Sequence, residues 1–235
     1  MRIPKYIHYC WFGNKPLPKQ YEEYINTWKE KFPDYEIICW NETNFPIELY
    51  KYAQQAYEMK KMAFVSDVAR VYALNTMGGV YFDTDVEVLK PFDKLLSEQD
   101  AVLGTESEVA IGTGFMAFIP HHEITEAMLE YYKMHRFMDD RGMLSLIPNT
   151  HILANLLNEM YGMRPAEYIQ SNDRCVVYPQ EYFTAYDGYT GKNIITKETY
   201  CVHHFENSWS SPMEKVKGRM IKIRNRLLQK LKRRT

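Results

Sequence analysis

The sequence predicts a folded α/β protein with a mainly parallel sheet; the alternation of its elements indicates the fold class, and its composition indicates a folded core. Short apolar runs typical of buried strands alternate with segments whose apolar residues have helical spacing. Hydrophobic residues make up 46% of the 235-residue chain, enough to bury a substantial core. Charged residues make up only 25%, which argues against disorder. In such sheets, ligands bind beyond the carboxyl ends of the strands.

The first elements alternate between strand and helix. KYIHYCWFG predicts a strand that ends at Gly13, and YEIICW predicts a second, buried strand. Between them, KQYEEYINTWKEKFP places its large apolar side chains at helical spacing, and Pro33 ends this helix. Residues 47–61 predict another helix.

The next helix leads into the third predicted strand. SDVARVYALNTM reads as a helix with Ser66 as its N-cap and Gly78-Gly79 as its C-cap, and VYFD follows as a strand. Further strands are predicted near DAVLG and in IGTGFMAFIP, and helices in EITEAMLEYYKMHRFM and THILANLLNEMYG. His121 and His122 follow Pro120 and are expected in a surface loop.

Two acids, Asp83 and Asp85, follow the VYFD strand. In an extended D-x-D segment both side chains face the same way, so one carboxylate can bind a divalent ion while the other accepts a hydroxyl. A solvated turn fits these three residues equally well, because acids are mostly exposed. Asp67 and Arg70 lie three apart on the preceding helix and share a face. That pair alone also fits a capping acid in the first helical turn with a surface ion pair.

The whole string AFVSDVARVYALNTMGGVYFDTDVEVLKPFD resembles the DXD region of glycosyltransferase family 32. This family includes bacterial capsule and lipopolysaccharide glycosyltransferases and yeast-type initiating mannosyltransferases. The string is also similar to the catalytic domain of the large glucosylating bacterial toxins. IPKYIHYCWFG and YCVHHFENSWSS resemble the family's opening and closing segments, so the resemblance covers residues 3–211. The family pattern S-D-x-x-R, then G-G-x-Y-x-D-x-D, is filled by Ser66, Asp67, Arg70, Gly78, Gly79, Tyr81, Asp83 and Asp85.

The resemblance implies a GT-A type fold, a Rossmann-like mixed, mainly parallel sheet flanked by helices, over residues 1–213. It implies a retaining, metal-dependent transferase that moves a sugar from a nucleotide sugar, expected to be a UDP-sugar. The acceptor would be a glycan or lipid-linked glycan in surface polysaccharide synthesis. Because the sequence shows no convincing nucleophile, we expect front-face attack by the acceptor hydroxyl. Gly112-Thr113-Gly114 stands where the family often has an Asn that meets the sugar, which leaves the donor sugar open.

The resemblance also implies roles for individual residues. Asp67, Arg70, Asp83 and Asp85 would form the catalytic set. Trp11 would stack on the base, although it also fits a core Trp at a strand end. Asp85 would bind Mn²⁺ or Mg²⁺. His203 and Asn207 would complete the metal shell, although a single His is as often structural. The implied donor-binding set is Trp11, Asp67, Arg70, Tyr81, Asp83, Ser208 and Trp209.

Residues 214–235 have a separate character. They hold ten Lys or Arg and one Glu, a net charge of +9, whereas the whole chain carries −1. Their apolar residues recur every three or four positions, which predicts a cationic amphipathic C-terminal helix with an anionic membrane surface as its partner. A helix packed on the domain with a solvated basic face is the alternative. Nucleic acid is not expected, because aromatic residues are not interleaved with the basic ones. The apolar positions are Val216, Met220, Ile223, Leu227 and Leu231.

The cysteines and the N-terminus predict a location. Cys10, Cys39, Cys175 and Cys201 lack metal-site spacing and lie among apolar residues, as reduced buried thiols do. The N-terminus lacks the apolar run of a signal peptide, and no apolar stretch is long enough to span a membrane. We therefore expect a cytoplasmic protein, peripheral on the inner face of the cytoplasmic membrane.

Two other classes of function use the same residues. A metal-dependent hydrolase of sugar nucleotides or phosphoesters would employ the same acids but usually needs more metal ligands. A non-catalytic sugar- or lipid-binding module would bind its ligand without depending on Asp85 for any turnover. Assays of nucleotide release with and without an acceptor separate these classes.

Overall fold

The computed structural model describes residues 2–206, 213, 216–218 and 220–225. Strands and helices alternate along most of the chain, and a 3₁₀ turn at Ile47–Leu49 precedes the second helix. In chain order the elements are β1 (Tyr6–Cys10), α1 (Lys19–Lys31), β2 (Glu36–Trp40), α2 (Lys51–Glu58), α3 (Met62–Met77), β3 (Gly79–Phe82), β4 (Val86–Val88), α4 (Asp93–Ser97), β5 (Ala101–Ser107), β6 (Ala110–Phe118), α5 (Glu123–Met134), α6 (Asn149–Tyr161), β7 (Gln170–Ser171), β8 (Val176–Tyr178), α7 (Gln180–Phe183), β9 (Tyr186–Asp187), β10 (Lys192–Asn193) and β11 (Cys201–His203).

Within the described residues, seven strands form one sheet in the order β2-β1-β3-β6-β5-β8-β7. Strand β1 pairs in parallel with β2 and β3, and β5 pairs in parallel with β8. Strand β6 runs antiparallel to β3 and β5, and β7 runs antiparallel to β8. Two buried apolar clusters involve the sheet, one including α2, α3, α5 and α6 and the other including α1, α4 and α7. The predicted mixed, mainly parallel sheet flanked by helices is confirmed.

A buried histidine ties β1 to the glycine pair that begins β3. His8 Nε2 lies 2.8 Å from the Gly78 carbonyl oxygen, and Trp40 Nε1 donates to His8 Nδ1 over 3.1 Å. Because an indole nitrogen only donates, Nδ1 is the acceptor and Nε2 carries the proton. Burial lowers the pKa of His8 to about 4, although the bond to Gly78 raises it. The ring is therefore neutral at pH 7 and holds three segments of the sheet in register.

We expect Gly79→Ala to destabilise the fold much more than Gly162→Ala. Gly79 has φ +109°, and an added Cβ would lie 2.7 Å from the Tyr6 carbonyl oxygen. Gly162 also has a positive φ, +69°, but an added Cβ there meets nothing within 4 Å. Backbone strain costs roughly 1–3 kcal/mol at either site, and the clash adds to it at Gly79 only. Urea unfolding measures the difference. Equal losses in the two variants would contradict the predicted clash.

The predicted start of the third helix is wrong. Helix α3 begins at Met62, and Ser66 lies in its interior rather than at its N-cap. The chain reverses at Lys60, whose φ is +57°, and Val65 is fully buried in the core. Burial of this apolar turn outweighs the capping preference of Ser66. Asp67 is consequently one turn further into the helix than the sequence predicted.

The predicted helix over residues 47–61 is interrupted. A 3₁₀ turn over Ile47–Leu49 and helix α2 are separated by Tyr50, which is extended with φ −126° and ψ 105°. Tyr50 is buried, and its ring packs against Phe45 and Tyr72. The break between the 3₁₀ turn and α2 therefore coincides with the packing of Tyr50 in the core. The helical spacing of the apolar residues did not reveal this break.

His122 is also not a surface residue. His121 is exposed, but His122 is fully buried, and its Nδ1 accepts the Ile124 N–H over 3.2 Å as the N-cap of α5. Its Nε2 lies 3.2 Å from the Arg174 carbonyl oxygen. An imidazole can cap a helix as other short acceptors do, but the N-cap pattern of Ser, Thr, Asp and Asn does not reveal it.

The four cysteines are free thiols, as predicted, three of them buried and Cys39 partly so. Residues 216–218 and 220–225 are helical, in agreement with the helix predicted within 214–235. The boundary between residues 1–213 and 214–235 stays a prediction. Among the described residues, no helix has the length and apolar character needed to cross a membrane.

Candidate active site

The two acids of the D-x-D segment lie at the carboxyl edge of the central strands. Asp83 follows β3 directly, and its N–H donates to the Gly114 carbonyl oxygen on β6 over 2.8 Å. After one more residue comes Asp85, and then the short strand β4. Strand β4 pairs antiparallel with β11 and sets His203 opposite Val86. This pairing brings His203 from far along the chain to the side of Asp85.

Asp83, Asp85 and His203 form a cluster of potential metal ligands. Each offers one ligand atom, and these atoms lie within 4.8 Å of one another. His203 Nε2 lies 3.2 Å from Asp85 Oδ1 and 3.8 Å from Asp83 Oδ2. The other oxygen of Asp85 accepts the Glu206 N–H over 2.8 Å, which fixes the carboxylate. Two carboxylates and an imidazole fit a divalent cation. The structure thus brings together the predicted ligands Asp85 and His203, with Asp83 beside them.

The carboxylates of Asp83 and Asp85 favour a positive charge in this cluster, even without a metal. Burial raises the pKa of Asp85, but His203 and the Glu206 N–H outweigh it and lower that pKa to about 2. Burial lowers the pKa of His203, but Asp85 and then Asp83 outweigh it and raise that pKa to about 9. At pH 7 the imidazolium therefore supplies the positive charge. A metal ligand must be a neutral imidazole, so a bound metal would replace this proton.

Arg70 is buried, and each of its three nitrogens faces protein oxygens. One terminal nitrogen, Nη1, donates to the Thr113 carbonyl over 2.9 Å and to its hydroxyl over 3.2 Å. The other, Nη2, lies 3.2 Å from Asp67 Oδ1 and 3.3 Å from Asp83 Oδ1. Its Nε donates to the Ser66 carbonyl. Burial opposes the charge of Arg70, but Asp83 foremost holds its pKa above the ordinary value. Arg70 therefore anchors two of the predicted catalytic acids.

Asp67 and Tyr81 occupy different positions around this arginine. Burial raises the pKa of Asp67 to about 6, although Arg70 works against the shift. The Tyr81 ring lies under the guanidinium, 4.8 Å from it, and its hydroxyl donates to Asp83 Oδ1 over 2.9 Å. Tyr81 is only 1% exposed. It contacts and orients Asp83 from the core.

The Gly-Thr-Gly segment makes room for the cluster. A Cβ added at Gly114 would lie 2.6 Å from His203 Cε1 and 3.1 Å from Asp83 Oδ2. A residue with a side chain there would displace the imidazole. Thr113, between the two glycines, donates from its hydroxyl to Asn149 Oδ1 over 2.8 Å. The glycine therefore lets both ligands pack directly on β6.

Asn149 is a candidate site residue that the sequence did not reveal. It begins α6, is 5% exposed, and lies beside Thr113, where the family resemblance suggested that an Asn was missing. Its Nδ2 is buried and has no hydrogen-bond partner among the described residues. An unpaired buried donor is costly, which suits a group that meets a ligand. Only the packing of α6 on β6 brings it here, so no local motif could have identified it.

Trp11 lies at the same edge of the sheet, since it follows β1 and β1 is parallel to β3. Its ring meets Tyr21 edge-on, with centroids 5.8 Å apart, and its Nε1 donates to the Lys15 carbonyl over 2.6 Å. The ring is partly exposed. The predicted metal ligand Asn207 and the predicted donor-binding residues Ser208 and Trp209 lie outside the described residues.

Comparison with known proteins identifies related sequences. The family model described as "Glycosyltransferase sugar-binding region containing DXD motif" matches residues 18–102. Inositol phosphoceramide mannosyltransferase 1 of Schizosaccharomyces pombe is 27% identical over 132 residues, 52% of this chain and 40% of that protein. Initiation-specific alpha-1,6-mannosyltransferase of Candida albicans is 32% identical over 125 residues, 49% of this chain and 32% of that protein.

A third relative is a galactosyltransferase. Lactosylceramide 4-alpha-galactosyltransferase of Rattus norvegicus is 29% identical over 107 residues, 46% of this chain and 26% of that protein. The matches thus span less than half the length of these three curated relatives. The matched family region includes Asp67, Arg70, Asp83 and Asp85. Residues 18–102 are therefore similar to the sugar-binding region of DXD-motif glycosyltransferases, in line with the resemblance that the sequence motifs indicated.

Proposed function

We propose that this chain is a metal-dependent glycosyltransferase that uses a nucleotide-sugar donor. The observation that carries the proposal is the convergence of Asp83, Asp85 and His203 beside the Arg70–Asp67 pair, at the edge of the sheet where ligands bind. The similar curated proteins are mannosyl- and galactosyltransferases by name, which supports sugar transfer.

The donor would lie across this edge of the sheet. A divalent metal held by Asp85 and His203, with Asp83 beside it, would offset the charge that grows on the leaving diphosphate. We propose Mn²⁺, with Mg²⁺ as the alternative. Asp83 would also accept a ribose or sugar hydroxyl. We assign the base, taken to be uracil, to the exposed side of Trp11.

The donor sugar would lie between helices α3 and α6. Asp67 has an acceptor oxygen to offer a sugar hydroxyl, and Asn149 has an unpaired Nδ2 donor. Arg70 would act by holding Asp67 and Asp83 in place. Its positive charge would face the phosphates from behind these two carboxylates. Asn207 as a metal ligand and Ser208 and Trp209 as donor contacts remain part of the proposal.

The transfer we propose retains the anomeric configuration. The acceptor oxygen forms a bond to the anomeric carbon on the face from which the diphosphate leaves. The bond between that carbon and the phosphate oxygen breaks through an oxocarbenium-like state. The hydroxyl proton passes to the leaving phosphate, so no enzymatic nucleophile is required. Isolation of a glycosyl–enzyme adduct on a carboxylate would contradict this mechanism.

The acceptor is proposed to be a glycan or a lipid-linked glycan in surface polysaccharide synthesis. Relatives named for ceramide substrates favour an acceptor with a lipid part. A panel of UDP- and GDP-sugars with Mn²⁺, scored by nucleotide release with and without glycolipid acceptors, tests the proposal. We expect metal-dependent release that the acceptor stimulates. Release that no acceptor changes would favour a sugar-nucleotide hydrolase. The absence of both turnover and donor binding would contradict the proposed function.

The described part of the C-terminal segment contacts the domain along one side. Lys222 Nζ lies 3.2 Å from the Tyr186 hydroxyl and 5.1 Å from the centre of its ring. Asn225 is 2% exposed and donates to the Tyr189 carbonyl over 3.0 Å. One side of the segment therefore contacts the domain, as the packed-helix alternative predicted. This contact would fix which sides of the helical segment face away from the domain.

The side away from these contacts is apolar and exposed. Val216, Met220 and Ile223 are 57%, 66% and 55% exposed, and Lys217 and Arg224 beside them are exposed too. Exposed apolar side chains flanked by basic ones are typical of helices that lie on anionic membranes. We propose that this segment docks the enzyme on the cytoplasmic face of the membrane, next to a lipid-linked acceptor.

We expect the Met220→Ser/Ile223→Ser double variant to bind anionic vesicles at least about 10-fold more weakly, because two apolar side chains no longer leave water. Flotation with phosphatidylglycerol-containing vesicles measures this, and deletion of residues 214–235 should have the same effect. Met134→Ser is the matched control, since Met134 is 74% exposed at the end of α5. Unchanged flotation of the double variant would contradict the membrane proposal.

A further inference from the structure

A third carboxylate faces the candidate site from the end of β5. Glu106 lies where the pairing of β5 with β6 is irregular, with register shifts on both sides of Thr105. Such irregularities re-aim side chains and are common next to active sites. An added Cβ on Gly112 would lie 3.5 Å from Glu106 Cβ and 3.7 Å from its Oε2. The Glu106 side chain therefore lies over Gly112 on β6.

The same strand supports the metal-ligand cluster. Gly112 and Gly114, which we call the glycine floor, are two residues apart and so lie about 7 Å apart along β6. His203 and Asp83 cover Gly114, whereas Glu106 covers Gly112. The Thr113 side chain between them is engaged with Asn149 and Arg70. The Glu106 carboxyl group and the metal-ligand cluster therefore lie at neighbouring positions on the glycine floor, over Gly112 and Gly114.

The Glu106 carboxylate is available to accept a hydrogen bond from a ligand. Among the described residues, no donor lies within hydrogen-bond or ion-pair distance of its carboxylate, although the residue is partly buried. Burial raises its pKa, His203 and Arg70 work to lower it, and Asp83 adds to the rise. His151, on α6, also acts to lower it. A solvent-accessible carboxylate without a protein partner is free to accept a hydrogen bond from a ligand hydroxyl.

We propose that Glu106 and the glycine floor form the acceptor subsite, where the Glu106 carboxylate accepts a hydrogen bond from a hydroxyl of the sugar that receives the transfer. The proposal rests on the proposed function. The donor side of the site is already supplied by the metal-ligand cluster, Asp67 and Asn149. Glu106 lies over Gly112, two residues along β6 from the ligands over Gly114, and its carboxylate is not part of that donor set.

The test separates acceptor binding from donor binding. In Glu106→Gln, which keeps the shape but loses the charge, we expect the acceptor KM to rise about 10-fold or more, as for loss of a charge-assisted hydrogen bond. The donor KM should stay within about 2-fold. Glu108→Gln is the matched control, because Glu108 is exposed in the β5–β6 turn and should leave both constants unchanged.

A second variant tests the floor itself. Gly112→Ala adds a methyl group at 3.4 Å or more from its neighbours, a contact the fold can accept, and it should also raise the acceptor KM. A rise of the donor KM in Glu106→Gln, an unchanged acceptor KM in both variants, or a sugar adduct trapped on Glu106 would overturn the acceptor subsite. If the wild-type protein turns over no nucleotide sugar, the proposed function itself fails and the acceptor subsite with it.

Discussion

Replacing Asp85 by Asn is expected to lower metal-dependent nucleotide release by about 100-fold or more, the usual loss when one preorganised electrostatic group is removed. Asp85 Oδ1 lies 3.2 Å from His203 Nε2, and its Oδ2 accepts the Glu206 N–H. Asn keeps the shape of the side chain, but it removes the charge and one of the two oxygens. Steady-state assays over a range of Mn²⁺ concentrations would measure the loss.

The neighbouring acid Glu87 provides the control for Asp85→Asn. Glu87 lies two residues further on, in β4, and its Oε2 lies 3.0 Å from His204 Nε2, outside the metal-ligand cluster. Glu87→Gln is expected to retain turnover within a few-fold. If Asp85→Asn also retained its turnover and its metal dependence, a non-catalytic sugar- or lipid-binding module would be the better interpretation.

Gly114→Ala is expected to remove most of the metal dependence without changing any proposed ligand. The new methyl group would lie 2.6 Å from His203 Cε1 and 2.7 Å from its Nδ1, so the ring must move. The ring stacks on Phe205 with centroids 4.0 Å apart, and the His203 N–H donates to the Thr184 carbonyl over 2.8 Å. We expect a loss of about 10- to 100-fold in metal affinity, typical of changes that misplace a ligand.

Metal affinity measured by titration distinguishes this effect from general destabilisation. Gly112→Ala, two residues away on the same strand, should bind metal as the wild type does, because its methyl group meets no ligand of the metal. Thermal unfolding of both variants shows whether the fold is intact. Wild-type metal affinity in a folded Gly114→Ala protein would show that His203 is not a ligand.

Local patterns were sufficient to predict most of the fold. Strands and helices showed in the spacing of apolar residues, and Gly78 ends α3 as predicted. The antiparallel direction of β6 could not be predicted in this way, because strand direction depends on pairing with β3 and β5 rather than on the residues of β6. Ser66 and His122 were misassigned because burial decided their positions, and burial is a property of the packed chain.

The candidate site also contains residues that a local motif predicts and residues that only the packed chain brings together. Asp67, Arg70, Asp83 and Asp85 fall within one continuous motif, so the sequence could predict their proximity. His203 reaches them only through the pairing of β4 with β11, and the family resemblance, rather than any spacing, indicated it. Asn149 and Glu106 had no signal in the sequence. Their positions follow from the packing of α6 and from the irregular end of β5.

Binding of Mn²⁺, followed by electron paramagnetic resonance in the presence of a nucleoside diphosphate, tests the central claim most directly. We expect the wild-type protein to bind Mn²⁺ at one site, and Asp85→Asn and His203→Ala to bind it at least about 10-fold more weakly. The nucleoside diphosphate should tighten binding to the wild type, because metal and diphosphate would share one site. Equal Mn²⁺ affinity in all three proteins, or no effect of the diphosphate, would contradict a metal–donor site at Asp83, Asp85 and His203.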